Sequence, residues 1–339
     1  MKKVLCMAAV ALLTASCSNN EENIPVPEEK IDAVAIEITQ KVKGVVTKAP
    51  VTSGNQVTAT IVMVDAAGTT ANWAGFTPVT SNTVTGGTFS DDAHRANVST
   101  ASFTAGATQA VTLAPSLYYP VVTLNNHAHI AAVAPKGTVD GETVVIPVQD
   151  GEQDVMYAAS TDAGTSGSAT PSLNLEFDHL TTQLNFKVKL TAAASNGAWN
   201  SKASVKSITI QEASLPKAVA YATGNVTWTN AANLLVPNAS NVAFNTTAVA
   251  VGNSVMIQSA GKVTVNVVIT GGDGKDYAYD NVVIMKESNQ LVTTAGHSHE
   301  ITLTVTEPSE ATGPGVTRIT TTATVKDWVP GDTGSGNLQ

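Results

Sequence analysis

Cysteine is nearly absent. Cys6 and Cys17 are the two in the chain, and both lie within the first 17 residues. Everything downstream therefore folds without a disulfide and without a cysteine-based metal site. Charged residues make up 13% and aromatics 5%. Long helical runs of Leu, Glu, Lys and Arg are missing, which removes helical bundles. There is no basic excess either. The formal net charge is −9, so no cationic patch stands ready to neutralise phosphates, and nucleic acid is excluded as a partner. The blander use of that charge is solubility. No GxSxG, HExxH, P-loop or dinucleotide-binding glycine motif occurs. No cofactor, metal or catalytic residue is expected.

What is abundant points to strands. Thr, Val and Ala are frequent, and Thr and Val suit a pleated, partly buried surface. An apolar fraction of 43% supports a real core and argues against global disorder. The length of 339 residues suffices for two ordinary domains. The expected fold class is all-β.

The N-terminus reads as an address. Met1-Lys2-Lys3 is a short positive segment, and Val4 to Leu13 is an apolar run too short to span a bilayer. Leu13-Thr14-Ala15-Ser16-Cys17 then resembles the lipobox of bacterial lipoproteins. That resemblance implies residues 1–16 as signal peptide, lipidation of Cys17 and a lipid membrane as partner. A two-chain lipid suffices for stable anchoring, where one chain is marginal. The alternative is an ordinary signal peptide cleaved near Ser16, leaving a free thiol. Ser18 to Lys30 is polar, acidic and Pro-containing, as an exposed tether would be.

Residues Ile31 to Pro50 carry two signals together. Val34, Ile36, Ile38, Val42 and Val46 share one face when read in twos, with Ala35, Glu37, Thr39, Lys41 and Lys43 opposite. That period belongs to a half-buried strand. Thr47-Lys48-Ala49-Pro50 follows, a site for a protease that cuts after a basic residue, with Lys41 and Lys43 as alternative cuts. Residues 17–48 therefore read as a tether plus a first strand that is either permanent or removable.

The body alternates between short apolar runs and turns, at the spacing of a β-sandwich. Strands are expected at Val57–Val64, Val111–Leu113, Tyr118–Leu124, His129–Ala134 and Thr143–Val148. The loop Ser160 to Pro171 is rich in Gly, Ser and Thr and marks a boundary. It separates residues 49–172 from residues 173–339. Beyond it, Leu184, Phe186, Val188 and Leu190 share a face, and Ile301 to Val305 alternate strictly. Gly271-Gly272-Asp273-Gly274 reads as a hairpin loop. The last strand is expected at Thr317 to Val329.

The remaining chemistry is sparse. His297 and His299, like His127 and His129, have a spacing that puts two imidazoles on one strand face, but no third metal ligand lies nearby in sequence. Asp91, Asp92 and His94 fall in a loop, where a solvated turn is the simpler reading. Trp73, Trp199, Trp228 and Trp328 are dispersed, so a sugar-binding platform requires folding to gather them. A monomeric surface lipoprotein that binds glycan or peptide is the rival reading from another class.

Several short pieces together resemble the fimbrillin family, the subunits of lipoprotein-derived pili. They are the lipobox-like end at Cys17, the basic site Thr47-Lys48-Ala49, Tyr118-Tyr119-Pro120-Val121, Gln153 to Ala158, Phe177-Asp178-His179-Leu180 and Thr322 to Trp328. The resemblance implies two tandem transthyretin-like β-sandwich domains and no enzymatic activity. It implies an outer-membrane lipoprotein that becomes part of an extracellular fimbrium. A trypsin-like protease would cut at Lys48–Ala49 and remove the strand bearing Val34, Ile36, Ile38, Val42 and Val46. A strand from another copy, or a related pilus subunit, would fill the groove. The candidate donor is the C-terminal strand bearing Ile319, Ala323, Val325 and Val329, which could instead be a permanent strand of the second sandwich.

Overall fold

A computed structural model describes residues 33–42, 55–83, 89, 91–105, 108–170, 173–192, 197–307 and 319–327. In the first half the strands are β1 Ile38–Val42, β2 Gln56–Ala66, β3 Val98–Thr104, β4 Gln109–Val111, β5 Leu113–Ala114 and β6 His127–Ala134. They continue with β7 Thr138–Asp140, β8 Thr143–Val145, β9 Met156–Asp162, β10 Gly164–Thr165, β11 Ser168–Ala169 and β12 Leu173–His179. One turn of 3-10 helix spans Asp92–His94. The second half contains β13 Thr182–Leu190, β14 Ser204–Ala213, β15 Pro216–Ala220, β16 Val226–Trp228, β17 Ala232–Leu235, β18 Val242–Ala243 and β19 Val249–Ile257. It ends with β20 Thr264–Thr270, β21 Asp276–Val283, β22 Met285–Lys286, β23 Asn289–Gln290, β24 His297–Val305 and β25 Ile319–Asp327. The expected all-β class holds among the described residues.

The first half is built on an eight-stranded sheet of order β4-β1-β12-β9-β6-β2-β3-β5. Alternate residues of β2 (Val57, Ala59, Ile61, Met63) and β12 (Leu173, Leu175, Phe177) point to one side. There they share a core with Phe103, Leu113, Leu117 and Tyr119, so strands from both ends of the sheet wrap around one interior. The second half is a two-sheet sandwich. Sheet β19-β13-β24-β25 faces sheet β17-β14-β20-β21 across a core of Leu184, Phe186, Val188, Ile208, Ile210, Val265, Val267, Ile301 and Leu303.

The two halves follow one strand logic. In each, the first strand runs parallel to a strand late in that half: β1 beside β12, and β13 beside β24, with β25 following β24 at the edge of the second. The expected boundary at 172/173 therefore sits one strand before the change of sheet. Leu173–His179 hydrogen-bonds into the first sheet, against β1 and β9, and the chain crosses to the second half at Leu180 and Thr181. The Gly/Ser/Thr loop taken as the boundary instead folds back as the β10–β11 hairpin. Composition marks a loop but does not say whether the next strand returns to the same sheet.

The halves are also stitched together. The β15–β16 hairpin of the second half joins β8 and β7 of the first in a four-stranded sheet. This sheet covers the outer face of the first, packing Val144, Ile146, Val219 and Tyr221 against Val62, Val133 and Tyr157. Gly224, in the hairpin turn, has φ +76, and a Cβ there would meet the Tyr157 ring at 2.5 Å. Glycine thus permits both the left-handed turn and the close approach.

Candidate functional site

Within the stretch Ile31 to Pro50, expected to lie between an anchor and a cut site, Ile38–Val42 forms β1, an interior strand of the first sheet. It pairs in parallel with β12, from Ile38 opposite Leu173 to Val42 opposite Phe177. On its other side it pairs antiparallel with the three-residue β4, from Ile38 opposite Val111 to Gln40 opposite Gln109. The Thr39 hydroxyl adds a hydrogen bond to the Leu173 carbonyl at 3.0 Å. Upstream, the Ile36 amide donates to the Leu117 carbonyl at 2.9 Å, and the Tyr119 amide donates to the Val34 carbonyl at 3.0 Å.

The alternation expected from sequence is present at its centre. Ile36 and Ile38 are buried, while Ala35 and Glu37 face solvent. Val34 departs from it: the side chain is 43% exposed. There the chain bridges to Tyr118, outside the ladder with β12 and β4, and Val34 lines a surface cleft of about 420 Å³ with Glu37, Tyr119 and Thr170. Val42 lies in the strand. Val46, Lys48, Ala49 and Cys17 lie outside the described residues.

The segment that receives β1 is held by an ionic clamp. Arg95 is buried, its side chain 3% exposed. Its guanidinium donates to Asp65 on β2, to Asp92 at 3.1 Å and to the Tyr118 carbonyl. Asp92 in turn accepts from the amides of Val121 at 2.6 Å and Thr123 at 3.1 Å, and from the Thr123 hydroxyl at 2.8 Å. Burial would raise the Asp92 carboxyl, but these donors and the Arg95 charge hold it below the usual carboxylate range. At Asp65 burial wins over Arg95 and pushes the carboxyl up. Residues 117–119, which hydrogen-bond to Val34 and Ile36, are thereby fixed to β2.

This explains two differences from expectation. Tyr118 to Leu124 is not a strand, because the amides of Val121 and Thr123 are taken by Asp92 rather than by a neighbouring ladder. The Asp91–His94 loop is not simply a solvated turn. Asp91 caps it by accepting from the amides of Ala93 and His94, while Asp92 points back into the fold. Arg95 went unnoticed in sequence. The available signal was one of the chain's two arginines, three residues after the acidic pair Asp91-Asp92.

The C-terminal strand β25 pairs antiparallel with β24 over its whole length, from Ile319 opposite Val305 to Asp327 opposite His297. It is an edge strand of the second half, bearing Ile319, Ala323 and Val325. The Thr321 hydroxyl donates to the Val283 carbonyl at 3.0 Å and accepts from the Met285 amide at 2.9 Å. Val329 lies outside the described residues.

The histidine pairs have separate partners. His127 and His129 stack at 6.3 Å, but His127 Nδ1 lies 2.9 Å from the Asp162 carboxylate and His129 Nε2 lies 2.8 Å from the Gly68 carbonyl. His299 is buried, and neither ring nitrogen has a hydrogen-bond partner among the described residues. Burial first, then the charges of His297 and Lys286, pushes it down to about 4. No group of three His, Cys, Asp or Glu able to hold a metal occurs among the described residues. Trp73 packs at 5.1 Å against Tyr221, and Trp199 is buried beside Tyr277, so these rings serve packing.

A candidate cell adhesion protein from Bacteroides uniformis shares the fold, with a TM-score of 0.51 and 19% identity over 88% of this chain and 98% of that one. A candidate cell adhesion protein from Bacteroides ovatus matches at TM-score 0.47 and 14% identity, covering 88% of this chain and 99% of that chain. The tip fimbrial protein Mfa3 from Porphyromonas gingivalis, truncated at its C-terminus, matches at TM-score 0.38 and 9% identity over 86% of this chain and 100% of that one. A search of curated protein sequences finds no match. Residues 66–328 match the family model described as fimbrillin-like, and the chain belongs to the fimbrillin-like family.

Proposed function

We propose that the protein is a non-enzymatic structural subunit of a surface fimbria, exported as a lipoprotein on Cys17 and assembled by exchange of its first strand. Family membership supports the structural role. The observation that carries the exchange reading is the setting of β1. It is the first strand among the described residues, it lies inside a sheet, and a single cut after Lys48 would sever it from everything downstream. Cleavage would leave β1 held by non-covalent contacts alone.

Its departure would bare the edge of β12 and the apolar flank of Leu173, Leu175 and Phe177. Each ladder hydrogen bond is worth about 0.5–1.5 kcal/mol net and each buried aliphatic about 1.5–3 kcal/mol, so the gap is worth on the order of 5–10 kcal/mol. A donated strand recovers this by β-augmentation. The contact is head-to-tail and need not close, so it propagates as a fibre. β25 is the candidate donor from a neighbouring copy or related subunit. As an edge strand it can leave its own sheet at the cost of one ladder and the two Thr321 hydroxyl hydrogen bonds.

The test is trypsin treatment of the chain lacking Cys17, followed by unheated gel electrophoresis. Trimming after Lys48 and a heat-sensitive ladder of multimers are expected, and Lys48→Ala should block that cut. Multimers forming equally well without cleavage would overturn the protease trigger. A clipped chain that stays monomeric would overturn the exchange reading.

A further inference from the structure

β1 contains one inward residue that its groove does not accommodate. Gln40 follows Ile36 and Ile38 on the same face and is 1% exposed. Neither its amide oxygen nor its amide nitrogen has a hydrogen-bond partner among the described residues. Its two cross-strand neighbours explain why. On β12 it faces Leu175, which offers no polar atom. On β4 it faces Gln109, the natural amide partner, but the Gln109 side chain donates to the Thr104 carbonyl at 2.9 Å. A buried amide without partners forfeits its hydration and recovers nothing.

The second half contains an internal comparison. β13 is the counterpart of β1, the first strand of its half and paired in parallel with a distant later strand, β24. Its same-parity residues Leu184, Phe186, Val188 and Leu190 are apolar and buried, and the one polar member, Thr182, is buried with its hydroxyl donating to the His297 carbonyl at 3.3 Å. The buried polar side chains of β13 find hydrogen-bond partners, while Gln40 on β1 finds none among the described residues.

We propose that Gln40 makes β1 a deliberately weak occupant of its groove, and that the groove selects incoming strands carrying an aliphatic residue at that position. This rests on the exchange reading above. The preferred partner is a strand segment with apolar residues at three successive alternate positions, where the resident segment has Ile36 and Ile38 followed by Gln40. The resident strand then holds the sheet closed while covalently attached and yields to a better-fitting strand once cut.

The experiment uses the full chain lacking Cys17, as wild type, Gln40→Leu and the closer isostere Gln40→Met. Before cleavage, urea unfolding should show both variants more stable than wild type. After trypsin treatment, the half-time for loss of the N-terminal peptide, followed by mass spectrometry on gel-filtered protein, should lengthen roughly tenfold or more. Multimer formation should slow in parallel. If both variants are no more stable than wild type and lose the peptide equally fast, the role of Gln40 is overturned while the exchange reading stands. If stability rises as expected but no protein, wild type included, loses its peptide or multimerises, the exchange reading fails and the selection of partners fails with it.

Discussion

Replacing Arg95 with methionine should loosen the seat of β1 before it unfolds anything else. The guanidinium is 3% exposed, while its carboxylate partners Asp65 and Asp92 are 22% and 23% exposed. Removing one member of a buried ion pair costs about 3–5 kcal/mol, because the other charge stays behind unpaired. Here both carboxylates reach some solvent, and Asp92 keeps its amide and hydroxyl donors, so the lower end applies: about 3 kcal/mol. The damage concentrates at Asp65, whose Oδ1 already lacks a partner, and at the Tyr118 carbonyl. Hydrogen–deuterium exchange reads the local effect and urea unfolding the global one. The amides of Ile36 and Tyr119 should lose protection first, since they hydrogen-bond between β1's approach and residues 117–119. A loss of stability below about 1 kcal/mol would show that the clamp is a surface pair in effect. A large loss with Ile36 and Tyr119 still protected would refute the link from Arg95 to β1.

Other consequences are open to measurement. His299 is buried neutral with a folded pKa of about 4, against 6.5 for an ordinary histidine. The unfolded chain binds the extra proton first, so stability present above pH 6.5 is lost as pH falls toward 4, by about 3 kcal/mol in total. Urea midpoints between pH 7 and pH 4 should show this slope, and His299→Leu should flatten it. Phe177→Ala removes a fully buried ring that lies 5.2 Å from Phe103, at the far end of β1's register, and should cost about 3–5 kcal/mol in denaturant unfolding.

The sequence was informative about faces and poor about neighbours. The period-two pattern identified the inward residues of β13 correctly, from Leu184 to Leu190, because inward and outward positions differ sharply in polarity there. It identified Ile36 and Ile38 for the same reason. It also placed the β20–β21 turn, where Gly274 has φ +79 and the Gly271 amide donates to the Lys275 carbonyl. It could not show that β12 lies against β1, a partner more than a hundred residues away, since alternation fixes which side a residue faces and nothing about which strand lies beside it. Val34 was misjudged because parity continues past the point where the ladder stops. The Arg95 clamp was hidden because its partners at 65, 92 and 118 are contiguous only in space.

The hairpin from Pro216 to Trp228 sets an order of events for folding. The outer layer of the first half is completed by residues of the second, so Val62, Val133 and Tyr157 are not fully covered until the chain extends through Trp228. Vectorial folding, in which one half sets while the other is still being threaded, is therefore unavailable to this architecture. A chain made only as far as β12 therefore carries a bare apolar sheet face.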